Sequence, residues 1–229
     1  MATPKRPVLV FSDTHAPFAV DGAIDFLRDT YKKEGCGSIV CAGDLFDHHS
    51  MSFHTTETDA MGMSQERVEA LKFVGELCRA FPKGTLVLGN HDKIPTRKAK
   101  EAGIPRGIMI QDKELYGLSR GWMVEPRHHV IFGESVCIAH GTKSSGQYGC
   151  VNTAKKIRSS YVQGHIHAHP MVKYSQNFKN KVFGMNVGCL FNESSYAARY
   201  GEEFAEKGVH GCGVVYGPEY AQFIPMRGN

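Results

Sequence analysis

The sequence predicts an α/β protein built as a four-layer α/β/β/α sandwich. Three observations point there. Residues 8–92 read as three buried strands separated by two helices, and such units make parallel sheets with right-handed crossovers. From Trp122 onward strands follow one another without helices large enough to cross over, which implies a second sheet. Five apolar runs stop abruptly at short groups of aspartate, asparagine and histidine, as strands do at a carboxyl edge that carries chemistry. At 229 residues the chain is expected to form one domain, 1–229, with a substantial core.

The elements follow in order. VLVFSD at 8–13 is a buried strand ending at Asp13, with His15 two residues on. Ile24, Leu27 and Tyr31 give residues 21–33 a helical stripe that Gly35 and Gly37 stop. SIVCAGD is the next strand, ending at Asp44, and the loop after it holds Asp47, His48 and His49. Residues 50–63 are polar, show no period, and read as a long loop over the sheet edge. Residues 64–81 are expected to be helical, with Ser64 as N-cap and Val68, Leu71, Val74, Leu77 and Cys78 on the buried face. LVLGNHD at 86–92 is the third parallel strand, broken at Gly89.

The second half is more broken. Residues 93–120 are basic and interrupted by Pro95 and Pro105, with a short helix through Thr96–Glu101. HHVIFGESVCIAHG reads as two strands joined at Gly133 and Glu134, ending at His140. A basic loop over 142–149 and a helical piece near Thr153–Ile157 lead to YVQGHIHAHP, a strand that runs into His165, His167 and His169. Two further strand pairs follow, MVKYS with KVFGMNVG and HGCGVVYG with AQFIP, separated by a partly helical segment over 192–208.

Composition narrows the class. With 41% hydrophobic and 22% charged residues the chain reads as an ordinary soluble globular protein. A formal charge of +4 suits an anionic substrate without amounting to a dedicated nucleic-acid patch. The seven cysteines are odd in number and form no CxxC pair, which argues against a disulfide framework or a thiolate zinc site. With neither a signal peptide nor an apolar run of membrane-spanning length, the expected location is the cytoplasm, with no membrane partner.

Taken singly, Asn90 reads as a turn residue and His91 as a surface histidine. Five such endings in one chain read differently. Asp13 and His15, Asp44, Asn90 and His91, His140, and His165 and His167 offer only hard oxygen and imidazole, the donor set of a catalytic metal site. That set suits Mn²⁺ first, with Fe, Zn²⁺ or Ni²⁺ as alternatives. Seven ligands exceed the need of one ion that must also hold water, whereas two ions sharing a carboxylate use them all.

DTH at 13–15, GDLFD at 43–47, GNHD at 89–92, HG at 140–141 and GHIH at 164–167 resemble, in order, the five motifs of the calcineurin-like metallophosphoesterase superfamily. The later NVGC at 186–189 is similar to a strand end often seen after the last motif. The resemblance implies that Asp13, His15, Asp44 and His167 hold one ion. It implies that Asp44, Asn90, His140 and His165 hold the other, Asp44 bridging. His91 resembles the family's catalytic histidine, which faces substrate, and Asp47 the carboxylate that orients it. The implied reaction is phosphoester hydrolysis by a metal-bridging hydroxide, with His91 assisting the leaving group.

Departures from the family pattern bear on the substrate. Protein serine/threonine phosphatases of this superfamily carry arginine after the second aspartate of GDxxD and usually read GNHE; this chain has His48 and GNHD. Without that arginine a dianionic monoester lacks its bidentate anchor, so the motifs look closer to phosphodiesterases and SbcD-like nucleases. The expected substrate is a phosphodiester of nucleotide or nucleic-acid type, with phosphomonoester hydrolysis at the same site as the alternative and a non-catalytic scaffold third. His48 is a candidate substrate contact. The stretch Lys93–Lys100 and the loop 50–63 are candidates for lining a groove, a solvated helix face being the plainer account of the lysines.

Overall fold

The computed structural model describes residues 6–52, 59–201 and 205–227. In chain order its strands and helices are β1 (Val8–Phe11), α1 (Ala23–Lys33), β2 (Ser38–Cys41), α2 (Met63–Ala80), β3 (Lys83–Val87), α3 (Ile94–Glu101), α4 (Asp112–Leu115), β4 (Gly121–Glu125), β5 (His129–Ile131), β6 (Val136–Ile138), α5 (Gly149–Ile157), β7 (Ser160–Gln163), β8 (Met171–Gln176), β9 (Lys181–Asn186), β10 (Gly211–Gly217) and β11 (Tyr220–Pro225). One sheet runs β11-β10-β1-β2-β3-β4 and the other β5-β6-β7-β9-β8.

β1 to β4 are parallel, in the register Val10↔Val40, Cys41↔Leu86 and Leu86↔Val124. β10 closes the other side of β1 antiparallel, pairing Val8 with Val215. In the second sheet β6, β7 and β9 are parallel neighbours, so their carboxyl ends face the same way.

Strand alternation builds the layers. In β1, Val8 and Val10 point between the sheets and meet Val162, Met185 and Val136, while Leu9 and Phe11 point outward against Leu27, Val74 and Leu77 of α1 and α2. α5 covers the far face of the second sheet, with Cys150, Val151 and Ala154 packed on Tyr161. The order is therefore helices, sheet, sheet, helix, the predicted α/β/β/α sandwich. Both faces of each central strand are buried, which is why these strands read as unbroken apolar runs. Each such Val, Leu or Phe contributes about 1.5–3 kcal/mol through burial.

Three details differ from the expectation. α2 starts one residue earlier, its N-cap is Gly62 with no side-chain cap, and Val68 is exposed. The buried stripe is Glu66, Ala70, Val74 and Leu77, because the Glu66 carboxylate turns inward to accept the backbone N–H groups of His49 (2.7 Å) and Ser50 (2.8 Å). Trp122 lies on β4 of the first sheet: its indole N–H donates to Phe81 at 2.8 Å, and a Cβ on Gly84 would strike its ring. Of the loop 50–63, residues 53–58 lie outside the described residues, as do 202–204 of the segment 192–208. All seven cysteines are free thiols. Among the described residues no helix is long and apolar enough to cross a membrane.

Candidate metal centre and cleft

The turns after β1, β2, β3, β6 and β7 converge where the two sheets meet, and they carry every motif residue. The backbone there is unusual. Of the eight non-glycine residues with left-handed φ among the described residues, Asp13, His15, Asp44, His48 and His165 are five. Such positions each cost about 1–3 kcal/mol and persist where the surroundings over-determine them. Here they let a strand stop and aim its next side chains into the cleft. Glycine serves the same packing: a Cβ on Gly89 would overlap the Asp44 carboxylate, and one on Gly164 would overlap Ser12 and Asp13.

Each carboxylate is tied by one oxygen and presents the other. Asp13 Oδ2 accepts the N–H of His165 (2.9 Å), leaving Oδ1 3.2 Å from His167 Nε2 and 3.8 Å from His15 Nε2. Asp44 Oδ1 accepts the N–H of His91 (2.8 Å), leaving Oδ2 3.0 Å from His140 Nε2 and 4.0 Å from His15 Nε2. Asn90 Oδ1 lies 2.9 Å from His140 Nε2. The imidazoles are held from behind: His140 Nδ1 faces the carbonyl of Ala42 (3.0 Å) and His15 Nδ1 faces Asp47 Oδ1 (2.6 Å). Each ring therefore presents Nε2, the second-contact pattern that orients metal-binding histidines.

The sequence-derived ligands fall into two metal-capable groups, Asp13 with His15 and His167, and Asp44 with His140 and His165. His15 Nε2 is buried and has no hydrogen-bond partner, an unfavourable state for a polar atom unless a cation takes its lone pair. The residues present fit divalent ions.

His91 lies beside these groups. Its Nδ1 faces the backbone carbonyl of Asp47 (2.8 Å) and, more distantly, Asp47 Oδ1 (3.2 Å). Asp47 thus serves two rings, its carboxylate chiefly His15 and its carbonyl chiefly His91. Electrostatics follow from this crowding. Burial alone would raise Asp13, Asp44 and Asp47, but the facing imidazoles hold all three well below the usual carboxylate range. Burial alone would lower His15, His91 and His140, yet their carboxylate partners outweigh it and raise all three, His140 to about 9.

Two sequence expectations need correction. His48 is buried, stacked on Phe46 at 5.4 Å, pushed down to about 4 chiefly by burial, and does not line the cleft. Lys93 is half-buried and its Nζ donates to the carbonyl of Leu88 at 2.7 Å; none of Lys93, Arg97, Lys98 and Lys100 lines the cleft, nor do the described parts of 50–63.

Asp92 was read as a substrate marker and is something else. It is fully buried, and its carboxylate accepts three backbone N–H groups: Asp44 (2.8 Å), Gly89 (2.9 Å) and Phe46 (3.1 Å). Burial and then the charge of Asp44 push it up to about 6. It clamps the turn carrying Asp44 to the turn carrying Asn90. The other wall of the cleft, over 193–199 and 205–208, also escaped the sequence reading.

A model of the calcineurin-like phosphoesterase family matches residues 6–182. No curated protein matches the chain. Among solved structures it is similar to a metallophosphoesterase from Sphaerobacter thermophilus, with 13% identity and a TM-score of 0.48 over 97% of this chain and 88% of that one. Yfce, a phosphoesterase from E. coli, shows 14% identity and a TM-score of 0.46 over 91% of this chain and 90% of that one. Vacuolar Protein Sorting 29 from Cryptosporidium parvum shows 14% identity and 0.48 over 93% and 86%. With the family model spanning most of its length and all five motifs gathered at one sheet edge, this chain belongs to the calcineurin-like phosphoesterase family.

Proposed function

We propose that the protein is a dinuclear-metal phosphodiesterase acting on nucleotides or nucleic acid. The observation that carries this is the position of Asp44 Oδ2, between His140 Nε2 at 3.0 Å and His15 Nε2 at 4.0 Å, at the boundary of two ligand groups. Asp13, His15, Asp44 and His167 would hold one ion, and Asp44, Asn90, His140 and His165 the other. Mn²⁺ suits the mixed oxygen and imidazole donors best, with Fe, Zn²⁺ or Ni²⁺ next. When bound, such a pair supplies a water activated near neutral pH and positive charge for the phosphoryl oxygens.

The remaining work falls to this chain's own residues. His91 Nδ1 is committed to the Asp47 carbonyl, so Nε2 is the ring nitrogen left for substrate. Protonated there, His91 donates to the departing alkoxide. Asp47 fixes both His91 and His15, and Asp92 holds the turn that aims Asp44. A diester is favoured because neither metal-capable group includes an arginine or lysine, and the described cations that line the cleft, Arg199 and Lys207, lie on its far wall. A single negative charge needs no further anchor at the centre. Residues 1–229 are read as one domain because the two sheets share a core. The buried free thiols suit the reducing cytoplasm.

The deciding experiment reconstitutes the protein with Mn²⁺ and screens nitrophenyl mono- and diesters, nucleotides and DNA, with elemental analysis alongside. Two ions per chain and a diester preference are expected, and Asp44→Asn should weaken both ions together. One tightly held ion, unaffected by that substitution, is incompatible with the dinuclear centre, and a monoester preference would make the protein a phosphatase.

A further inference from the structure

The cleft holds about 1080 Å³, whereas pockets that enclose an entire drug-sized ligand run to about 300–1,000 Å³. One phosphate ester at the Asp44 end would leave most of it unfilled. The opposite wall is built from 193–199 and 205–208, and several contacts fix it in place. The Glu193 carboxylate accepts the N–H of Gly208. The Tyr196 hydroxyl accepts the N–H of Met61 (3.1 Å), and its ring packs on Phe18 (5.0 Å) and His49 (5.4 Å). His169 Nε2 meets Glu206 Oε2 at 2.9 Å, joining this wall to the loop after β7.

The chemistry of that wall is selective. Arg199 and Lys207 line it, together with Ser194 and Ser195. Ser195 Oγ is buried with no hydrogen-bond partner. Both of the wall's described carboxylates that line the cleft have partners, Glu193 on Gly208 and Glu206 on His169. A platform for stacking a base is missing among the described residues. Phe191 is the one phenylalanine, tyrosine or tryptophan lining the cleft, and its ring is packed against His15 (4.8 Å) and His167 (6.0 Å). Guanidinium, ammonium and hydroxyl groups recognise phosphate, whereas nonspecific strand binding relies on aromatic stacking.

We propose that Arg199 and Lys207 form a second anion subsite, and that the substrate is a small phosphodiester carrying a further phosphate group on the same molecule. The location of the scissile ester rests on the phosphodiesterase reading above. The His169–Glu206 contact joins two walls at the subsite, which suits a substrate that ends in the cleft rather than a strand running through it.

A matched pair of esters tests this: thymidine 5′-(p-nitrophenyl phosphate) with and without a 3′-phosphate, which release the same leaving group. With the Mn²⁺-loaded protein the 3′-phosphate should lower KM at least about tenfold, the worth of one or two charge-assisted contacts. In Arg199→Gln/Lys207→Gln the KM ratio of the pair should collapse toward one, with the fold checked by circular dichroism. Equal KM values in the unmodified protein, or a ratio that survives the double substitution, overturns the subsite. Should neither ester be cleaved, the catalytic reading fails and the subsite is judged by calorimetry. Thymidine 3′,5′-bisphosphate should then bind the unmodified protein at least about tenfold more tightly than thymidine 5′-phosphate, and the double variant should not discriminate. A lack of preference in the unmodified protein there also overturns it.

Discussion

Replacing Asp92 tests whether the centre depends on a residue that touches neither substrate nor metal. Its carboxylate takes the N–H groups of Asp44, Gly89 and Phe46 at 2.8, 2.9 and 3.1 Å in a fully buried site. Asp92→Ala leaves all three without an acceptor. At about 1–3 kcal/mol for each orphaned buried group, and allowing for a water entering the void, the expected loss is about 3–6 kcal/mol. That is a large part of an ordinary domain's stability. Asp92→Asn is milder. Turned so that its oxygen keeps Asp44 and Gly89, its amide opposes only the N–H of Phe46, and it removes a charge that Asp44 repels, so the net cost is about 1 kcal/mol. Function should suffer in the same order, because the clamp sets the direction of the Asp44 carboxylate. Misaligned supporting contacts typically weaken metal affinity about 10–100-fold. Urea unfolding of the metal-free proteins and Mn²⁺ titration give both numbers. An Ala variant with an unchanged urea midpoint and unchanged Mn²⁺ affinity refutes the clamp; an Asn variant worse than Ala refutes the assignment of hydrogen bonds.

Three further outcomes follow from the site. His91→Ala keeps the backbone N–H that holds Asp44 Oδ1, so both ions should stay while the maximal rate falls about 10²–10⁴-fold, less for nitrophenyl leaving groups; loss of metal would make His91 a ligand instead. Chelation of the metal-loaded protein should abolish turnover, and Mn²⁺ should restore it; activity that persists after verified metal removal contradicts the metal-dependent reading. His140 is lowered by burial but lifted by Asp44 to about 9, so near pH 7 the metal-free protein holds a proton there that a cation must displace. Mn²⁺ affinity should therefore rise about tenfold per pH unit between pH 7 and about 9, with proton release seen by calorimetry in two buffers, whereas a flat profile contradicts it. The same raised value stabilises the metal-free fold fully below about pH 6.5, and that contribution is lost as pH rises through about 9.

Much of the architecture was legible because strands buried on both faces leave continuous apolar runs, and because each run ended in polar residues with no structural reason to be there. VLVF, SIVC and the LV of LVLGNHD all lie on central strands. What failed were features whose cause lies elsewhere in space. Val68 fits the helical stripe of α2 as well as Glu66 does not, yet Val68 is exposed and Glu66 buried, because the turn at His49 and Ser50 needed an acceptor. Trp122 gave no hint that it would extend the first sheet. That outcome depends on room above Gly84 and on the carbonyl of Phe81, neither of which is local to it.

The same distinction runs through the site. Residues grouped around a common centre were readable, since each must supply a donor atom of a restricted kind at a strand end. Supporting residues were misread, because their task is set by backbone groups from other turns. Asp92 follows Asn90 and His91 in sequence, and its side chain invites a reading in terms of substrate. Its oxygens instead answer the N–H groups of residues 44, 46 and 89. A residue buried in that way cannot distinguish a diester from a monoester by contact, so the GNHD form carries no weight in that choice. His48 likewise stacks on Phe46 away from the cleft, so what bears on the substrate is the missing arginine and not the histidine that replaces it. The argument for a diester thus rests on the charge available at the centre. The argument for a second phosphate rests on the wall that holds Arg199 and Lys207, a part of the chain that no strand-end motif marks.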